Sequence, residues 1–460
     1  MTTTLDALRA GQLAGTRQLK LACGLTEFPR EIFDLADTLE VLDLSGNALC
    51  ALPDDLPRLT KLRILFASNN PFTELPEVLG QCQQLSMIGF KANRVRHVPG
   101  GALPPQLRWL ILTDNEIESL PAEIATCTHL QKLMLAGNRL RSLPDEMAAC
   151  TRLELLRLAA NRFDALPAWL LQLPRLSWLA YAGNPFSEAL ERQAEIDTPI
   201  DAIRWDDLAL GPQLGEGASG VIYRAGLARG GASRPVAVKL FKGAVTSDGL
   251  PDCEMAACIR GGDHPNLIPV VGKLSNHPAG THGLVMTLID PDYRNLAGPP
   301  SLTSCTRDIY VADTRFELPA LLGIACGVAS AASHLHARGV MHGDLYAHNI
   351  LVSGHGQALL GDFGAASFHT ADPAPDPASI AHALQRLEVR AFGCLLEELV
   401  ARCDSLQAEP DIMATLVQLT AACLSEEIAS RPLFDEIAHR LSAVATTRSG
   451  DVRVLRRDVI

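Results

Sequence analysis

The sequence predicts two domains of different fold class, an α/β repeat solenoid over residues 1–200 and an α+β domain with two lobes over residues 208–445. The first prediction rests on a pattern that recurs about every 23 residues between Leu39 and Asn184. The second rests on the end of this pattern near residue 207 and on the glycine, lysine and aspartate motifs that follow it. We expect residues 201–207 to be a linker and residues 446–460 to be a C-terminal tail.

Composition excludes several classes of protein. With 47% hydrophobic and 20% charged residues, the 460-residue chain can bury proper cores. Its net charge of −12 argues against nucleic-acid binding, which needs a basic surface. The most apolar window, residues 318–332, is too short to cross a bilayer and predicts a buried helix, and no secretory signal is visible at the start. We therefore expect a cytoplasmic protein with no membrane span.

The twelve cysteines do not form a metal-binding pattern, because the sequence has neither a CxxC pair nor a Cys/His set with zinc spacing. Three of them, Cys82, Cys127 and Cys150, occupy the same position of the repeat, where a small apolar residue packs inside. This favours free buried thiols in a reducing compartment.

The repeat units open as Leu-x-x-Leu-x-Leu-x-x-Asn or a close variant. A Leu-Pro or Val-Pro step follows six residues after most of the asparagines. Residues 17–38 form a degenerate first unit, and residues 187–196 predict a polar helix that caps the array. The first leucines of the units are Leu39, Leu62, Leu85, Leu107, Leu130, Leu153 and Leu176. Their asparagines are Asn47, Asn70, Asn93, Asn115, Asn138, Asn161 and Asn184.

This pattern has a direct physical interpretation. The Leu-x-Leu segment predicts a short strand with its leucines turned inward, and each asparagine can bond backbone groups at the turn that follows. One unit cannot bury its own apolar face, so stability comes from stacking on its neighbours. Residues 17–200 resemble the leucine-rich-repeat family, in which such units stack into a solenoid.

The resemblance implies that the x positions of each strand point to solvent on the concave face, yet many of them are large and apolar. Such a stripe is typical of a protein-binding surface. We expect an external protein partner, a substrate or a regulator, with coverage by another part of the chain as the alternative. The residues of the predicted partner-binding stripe are Ile64, Phe66, Met87, Trp109, Ile111, Met134, Leu155 and Trp178.

The second half opens with a glycine-rich turn. Gly215, Gly217 and Gly220 are followed at once by β-branched residues, which favours a strand–turn–strand hairpin over the strand–turn–helix of dinucleotide-binding folds. A later apolar strand ends in Lys239, whose burial requires a negative partner such as a phosphate or a carboxylate. Glu254, on a predicted helix, has better spacing for this role than the nearby aspartates.

A second group of polar residues follows a hundred positions later. Asp344 can accept a hydroxyl proton, Asn349 stands five residues on, and Asp362 precedes Phe-Gly. The segments 350–352 and 358–360 predict a hairpin that places Asn349 beside Asp362. The arrangement indicates a site for magnesium and phosphate.

Together these motifs resemble the eukaryotic-type protein kinase family over residues 208–445. The resemblance implies that Lys239 pairs with Glu254 and holds the phosphates of ATP, that Asp344 is the catalytic base, and that Asn349 and Asp362 bind Mg²⁺. Ala374-Pro-Asp376 would stand for the family's Ala-Pro-Glu, with Arg431 as its ion-pair partner, and Glu388 for the aspartate of the central helix. The residues implied to contact ATP are Leu214, Gly215, Gly217, Gly220, Ile222, Ala237, Lys239, Met286 and Leu288.

The sequence also departs from the family pattern. Gly343 replaces the usual arginine before the catalytic aspartate, which argues against control by a phosphate on the short loop that follows Asp362. Tyr346 and His348 match the usual residues of neither serine/threonine nor tyrosine kinases. Residues 291–316 are longer than a normal hinge connection, and the sequence leaves their role open among a lid, a substrate platform and a simple insertion.

Three functions fit these observations. The first is an active protein kinase, serine/threonine-directed by base rate, because the residues that position and neutralise the phosphates are all retained. The second is a scaffold that binds partners and at most ATP without catalysis. The third, a kinase of small molecules, is disfavoured by the motif at residues 374–376 and by Arg431.

Overall fold

The computed structural model describes residues 4–197, 200–217, 219–229, 231–243, 245–246, 248–371 and 379–455. It divides into two compact units. The first contains the described residues of 1–176, 183–186 and 247–249, and the second contains those of 177–182, 187–246 and 250–460. The segments 177–182 and 187–197 therefore group with the second unit, which differs from the boundary expected at residue 200.

Short parallel strands stack in chain order, as the repeat predicts. A short helix α1, Thr4–Arg9, precedes them. The central residue of each strand from β2 to β7, Leu42 for example, is fully buried, so the solenoid core runs through these positions. The strands are β1 Gln18–Lys20, β2 Val41–Asp43, β3 Ile64–Phe66, β4 Met87–Gly89, β5 Trp109–Ile111, β6 Lys132–Met134, β7 Leu155–Arg157 and β8 Trp178–Ala180.

The repeat asparagines form the predicted ladder. The side-chain amide of Asn138 donates to the carbonyls of Leu112 and Leu135 at 2.9 Å each, and its oxygen accepts the N–H of Ile117 at 3.1 Å. Each bond to a carbonyl of the preceding unit ties two units together. The residue before every repeat asparagine has a positive φ, which the sequence pattern did not predict because alanine occupies this place twice, at Ala92 and Ala160.

Short 3₁₀ helices return the chain between strands. Most of them follow the proline of a Leu-Pro step, whose fixed φ suits the entry to a helical turn. Cys82, Cys127 and Cys150 end three of these helices as buried free thiols. The 3₁₀ helices lie at Arg30–Leu35, Leu56–Arg58, Glu77–Gln81, Gly100–Ala102, Ala122–Thr126, Asp145–Ala149 and Ala168–Gln172.

The expectation of an exposed apolar stripe is wrong for most of its members. Only Phe66, Trp109 and Ile111 are half-buried rather than buried. The strands align so that stripe residues of neighbouring units are register partners, as Ile64 and Met87 are, and the Lys132 ammonium lies 4.3 Å from the ring centre of Trp109. The buried members, each with at most 9% exposure, are Ile64, Met87, Met134, Leu155 and Trp178.

In the second unit, a six-stranded sheet has the order β10-β11-β12-β14-β13-β9. Its parallel edge strand β9 and the 3₁₀ turn Trp205–Asp207 lie in the stretch expected to be a linker, so that expectation is wrong. Helix α2, Glu188–Asp197, packs against α3. The other elements are β9 Ala202–Arg204, β10 Leu208–Glu216, β11 Gly220–Arg229, β12 Ala232–Phe241, α3 Pro251–Gly261, β13 Val270–Ser275 and β14 Gly283–Thr287.

Helices dominate the rest of this unit, where α4 packs against α7 and α5 against α6. The small strands pair as β15-β17-β18 and β16-β19. The elements are β15 Arg294–Asn295, α4 Leu318–Ala337, β16 Val340–Met341, β17 Ile350–Val352, β18 Ala358–Leu360, β19 Ser367–Phe368, α5 Ile380–Val400, α6 Pro410–Cys423 and α7 Phe434–Leu455. Three 3₁₀ turns lie at Ala347–Asn349, Asp404–Ala408 and Ile428–Ser430.

Helix α4 has 20 residues and is the one helix in the described part of the chain that is long and apolar enough to cross a membrane. It is therefore longer than the sequence window suggested. Most of its apolar window is buried within the protein, as predicted for a core helix.

Candidate functional site

The glycine-rich turn joins two antiparallel strands, β10 and β11, as predicted. A Cβ built on Gly215 or Gly217 would meet no atom within 4 Å, so the turn is open at both positions. At Gly220 a Cβ would lie 2.5 Å from the carbonyl oxygen of Leu240. Gly220 is therefore also required by the close pairing of β11 with β12.

Lys239 and Glu254 form the predicted ion pair, from strand β12 to helix α3. Their side chains are only 11% and 2% exposed, so each charge needs the other. Burial would lower the pKa of Lys239, but the carboxylates of Glu254 and Asp362 outweigh it and raise this pKa. Burial raises the pKa of Glu254 against the opposing effect of Lys239. The pair therefore keeps a buried ammonium beside Asp362.

A cleft of about 150 Å³ lies beside this pair. Its wall is largely apolar, and its polar end carries Lys239, Glu254 and Asp362. Of the residues predicted to contact ATP, Leu214, Gly215, Ala237 and Leu288 do not line it. The lining residues are Gly217, Ser219, Gly220, Ile222, Lys239, Glu254, Cys258, Ile268, Val270, Leu284, Met286, Gly361, Asp362 and Phe363.

Asp344 and Asn349 are held together on the loop between β16 and β17. The amide of Asn349 donates to the Asp344 carboxylate at 2.8 Å and to its backbone carbonyl at 2.9 Å. The ring nitrogen Nδ1 of His342 accepts the Asp344 N–H at 3.3 Å, and its other ring nitrogen lies 2.9 Å from the carbonyl of Gly361. The Asp344 carboxylate is thereby fixed next to the strand that leads to Asp362.

The predicted hairpin β17–β18 forms and brings Asp362 back to this loop. The N–H of Gly361 donates to the carbonyl of Asn349 at 3.0 Å. Asp362 has a φ of 56°, which short polar side chains tolerate, and its carboxylate accepts the N–H of Gly364 at 3.2 Å. The exposed residue Asp362 thus lines the cleft.

Glu388 on helix α5 accepts hydrogen bonds from the backbone of the same loop. Its carboxylate accepts the N–H of Gly343 at 2.6 Å and that of His342 at 3.2 Å, and lies 2.6 Å from a ring nitrogen of His336. Burial would raise the pKa of Glu388, but the hydrogen bond from His336 and the other donors outweigh it and lower this pKa. Glu388 lies on a buried helix, as the resemblance implied, and its buried carboxylate anchors the loop.

The segment 291–316, whose role the sequence left open, is folded against this loop. Strand β15 pairs with β17, and Asn295 donates to the carbonyl of His348 at 3.0 Å. The carboxylate of Asp308 accepts the His348 N–H at 3.2 Å and lies 2.7 Å from its ring nitrogen Nδ1. Sequence reasoning missed Asp308, because its partner is 40 residues away and no motif marks the pair.

A second set of contacts fixes this segment to helix α5. Arg307 bonds Glu397 and Glu398 at 2.8 and 2.7 Å, and Tyr310 donates to Glu398 at 3.1 Å. The guanidinium of Arg402 lies 3.9 Å from the ring centre of Tyr310. The segment is therefore bonded both to the loop of Asp344 and Asn349 and to helix α5, and it does not form a free lid.

The predicted ion pair of Arg431 lies partly outside the described residues. The motif Ala374-Pro-Asp376 lies outside the described residues, so the pairing of Arg431 with Asp376 stays a prediction. Arg431 is buried and donates to the carbonyls of Ser425 and Arg386 at 2.8 and 3.0 Å.

Trp178 was expected in an exposed stripe, but it packs inside the second unit. Its indole ring stacks on Tyr346 with centroids 4.2 Å apart, and its N–H donates to the carbonyl of Leu345 at 3.1 Å. The sequence pattern placed Trp178 correctly on a strand and could not show which residues cover that strand.

The side chains of the site suit a nucleotide with magnesium. The apolar wall of the cleft fits a base, and the buried ammonium of Lys239 fits phosphate oxygens. Asp362 offers a carboxylate, and the Asn349 amide leaves its oxygen as an acceptor because its N–H groups face Asp344. Such oxygens are the ligands that Mg²⁺ prefers.

Family models match both halves of the chain. The model described as protein tyrosine and serine/threonine kinase matches residues 208–379. Models of the leucine-rich repeat match residues 38–59, 105–163 and 128–186. These matches fit the repeat strands and the cleft described above.

Among curated proteins, CBL-interacting protein kinase 22 of Oryza sativa subsp. japonica is 30% identical over 184 residues, covering 35% of this chain and 37% of that protein. The probable serine/threonine-protein kinase kinX of Dictyostelium discoideum is 25% identical over 289 residues, covering 55% of this chain and 25% of that protein. The chain thus spans well under half the length of either relative. A leucine-rich-repeat protein of Leptospira interrogans with a solved structure is 32% identical, covers 40% of this chain and 47% of its own, and has a TM-score of 0.37.

Proposed function

We propose that this chain, which joins leucine-rich repeats to a protein kinase domain, transfers the γ-phosphate of ATP to hydroxyl groups of proteins. One observation carries the proposal. The formed Lys239–Glu254 pair and the Asp362 carboxylate meet in one cleft, and the Asp344–Asn349 pair is bonded to the strand that leads into it.

The residues divide the chemistry between them. The oxygen of the acceptor hydroxyl bonds to the γ-phosphorus, the bond from this phosphorus to the β,γ-bridging oxygen breaks, and ADP leaves. Asp344 accepts the hydroxyl proton, and Asn349 holds its carboxylate in place. Lys239 keeps a positive charge next to the phosphates because its two carboxylate neighbours stabilise it. When bound through Asn349 and Asp362, Mg²⁺ would neutralise phosphate charge.

The acceptor hydroxyl in this proposal is that of serine or threonine. The relative named a probable serine/threonine-protein kinase supports this assignment. Phosphoamino-acid analysis of labelled product tests it: phosphoserine or phosphothreonine is expected, and phosphotyrosine alone would overturn it.

The repeats would recruit the protein substrate or a regulator. The side chains of the original stripe that keep some exposure, Phe66, Trp109 and Ile111, support this part of the proposal. We expect Trp109→Ala to raise the KM for a protein acceptor without changing ATP turnover in its absence. An unchanged KM would remove these residues from acceptor binding.

A transfer assay tests the main proposal. The full chain is incubated with magnesium and ATP labelled in its γ-phosphate, with a mixture of proteins or of small alcohols and sugars as acceptors. Label in protein is expected. Label only in small molecules would indicate the third function considered above. No label, with ATP still raising the melting temperature, would indicate a scaffold.

A further inference from the structure

The segment Ser177–Ala182 makes contacts that the proposed function does not yet use. It groups with the second unit, and its residues Trp178 and Tyr181 are each only 1% exposed. Both aromatic side chains are thus buried within this unit. Their hydrogen bonds identify the parts of the unit that they contact.

Trp178 contacts the catalytic loop directly after Asp344. Its indole and the ring of Tyr346 are nearly parallel, with an interplanar angle of 7°, and its N–H donates to the carbonyl of Leu345. The Trp178 indole therefore holds the two residues that follow the candidate base by a stack on the Tyr346 ring and a hydrogen bond to the Leu345 carbonyl.

Tyr181 contacts the chain that follows Asp362. Its backbone N–H donates to the Ser367 hydroxyl at 2.9 Å, and its own hydroxyl donates to the carbonyl of Phe368 at 3.0 Å. These two residues are strand β19, which pairs with β16 just before the catalytic loop. One short segment thus holds both the loop of Asp344 and the strand after Asp362.

Gly343 allows its own loop, the chain at Ala365 and the segment Ser177–Ala182 to approach one another closely. Its φ is 73°, and a Cβ there would lie 2.3 Å from the carbonyl oxygen of Ala365 and 2.9 Å from that of Leu179. Any side chain at this position would push the segment or the loop away. Gly343, which has no side chain to bind a phosphate, therefore allows the segment Ser177–Ala182 to pack closely against the loop.

We propose that Trp178 and Tyr181 are positioning residues, through which the segment Ser177–Ala182 holds the catalytic loop and strand β19 in their working arrangement without a phosphate. This rests on the proposed function for its effect on rate, but the contacts themselves can be tested apart from activity. The hydrogen bonds of the Trp178 and Tyr181 side chains both go to backbone carbonyls. The segment therefore fixes main chain, as a positioning element must.

The test compares Trp178→Ala and Trp178→Phe with Trp169→Phe in the full chain. Trp169 is a matched control, because it is a tryptophan of the first unit whose indole N–H has no hydrogen-bond partner among the described residues. Two quantities are measured: hydrogen–deuterium exchange of the peptide that spans residues 343–349, and kcat and KM for ATP.

We expect Trp178→Ala to speed exchange in this peptide and to lower kcat about ten- to a hundredfold, as a small misplacement of reacting groups does, with KM for ATP within about twofold. Trp178→Phe keeps an aromatic ring for the stack on Tyr346 but loses the indole N–H, so its effects should be smaller and in the same direction. A variant that folds but leaves both exchange and kcat unchanged would overturn the proposal.

A rise in kcat on Trp178→Ala would also overturn it and would make the segment an inhibitory plug. If the wild-type chain transfers no phosphate at all, the proposed function fails, and the exchange measurement still decides whether the segment holds the loop.

Discussion

The amide of Asn349 donates to the Asp344 carboxylate at 2.8 Å, across five residues of a buried loop. This bond links the group that would accept the hydroxyl proton to a residue that would bind magnesium. A carboxylate that acts as a base must be correctly oriented as well as ionised, and this hydrogen bond fixes the orientation of the Asp344 carboxylate.

Loss of this bond should slow transfer. We expect Asn349→Ala to lower kcat about a hundredfold or more, because both the aim of Asp344 and a metal-ligand oxygen are lost. Steady-state kinetics at saturating ATP checks this. Gln407→Ala, which removes an exposed amide from the 3₁₀ turn Asp404–Ala408, is the control and should keep the wild-type rate. A normal kcat in Asn349→Ala would contradict the assignment.

The buried ion pair should matter for stability as well. Lys239→Met leaves the Glu254 charge without its partner, which should lower the free energy of unfolding by about 3–5 kcal/mol. Adding Glu254→Gln removes the stranded charge and should restore part of the loss. Urea unfolding measures both. Lys242→Met is the control: Lys242 forms an exposed pair with Glu216, and its loss should not change unfolding measurably. A double variant less stable than the single one would show that the unpaired Glu254 charge does not cause the loss.

Part of this site could be predicted from sequence because its chemistry is local. The strand that ends in Lys239, the loop of Asp344 and the hairpin before Asp362 each occupy a few residues with a fixed pattern. Trp178 and Asp308 could not be found in this way. Their partners, Tyr346 and His348, are far away along the chain, and only the fold brings the members of each pair together.

Backbone crowding at Gly343 gives a third prediction. Gly343→Ala should destabilise the chain, because the positive φ and the contact with the Ala365 carbonyl both oppose a Cβ. Thermal unfolding with Gly354→Ala alongside provides the comparison. A Cβ on Gly354 would meet nothing within 4 Å, so that variant should be neutral or slightly more stable. Equal melting temperatures for the two variants would show that the loop has room at Gly343.

The Asp308–His348 pair gives a prediction about pH. Burial would lower the pKa of His348, but Asp308 outweighs it and raises this pKa above the ordinary value, with smaller contributions from Asp344 and Asp362. A raised histidine pKa stabilises the fold fully below the unfolded pKa, near 6.5, and this contribution is lost as pH rises through the folded pKa.

We therefore expect the melting temperature of the wild type to exceed that of Asp308→Asn at about pH 6, and the difference to shrink towards about pH 9. His355→Gln, at an exposed position between β17 and β18, should track the wild type throughout. A difference that grows with pH would contradict the direction of the His348 shift.

The most direct test of the central claim is phosphate transfer by wild-type chain and by Asp344→Asn, each with magnesium and γ-labelled ATP and with equal binding of ATP confirmed by calorimetry. The substitution keeps the shape of the side chain and removes its capacity to accept a proton. Label incorporated by the wild type, and reduced at least about a hundredfold in Asp344→Asn, is the result predicted here. Equal incorporation by both chains would contradict the assignment of Asp344 as the base.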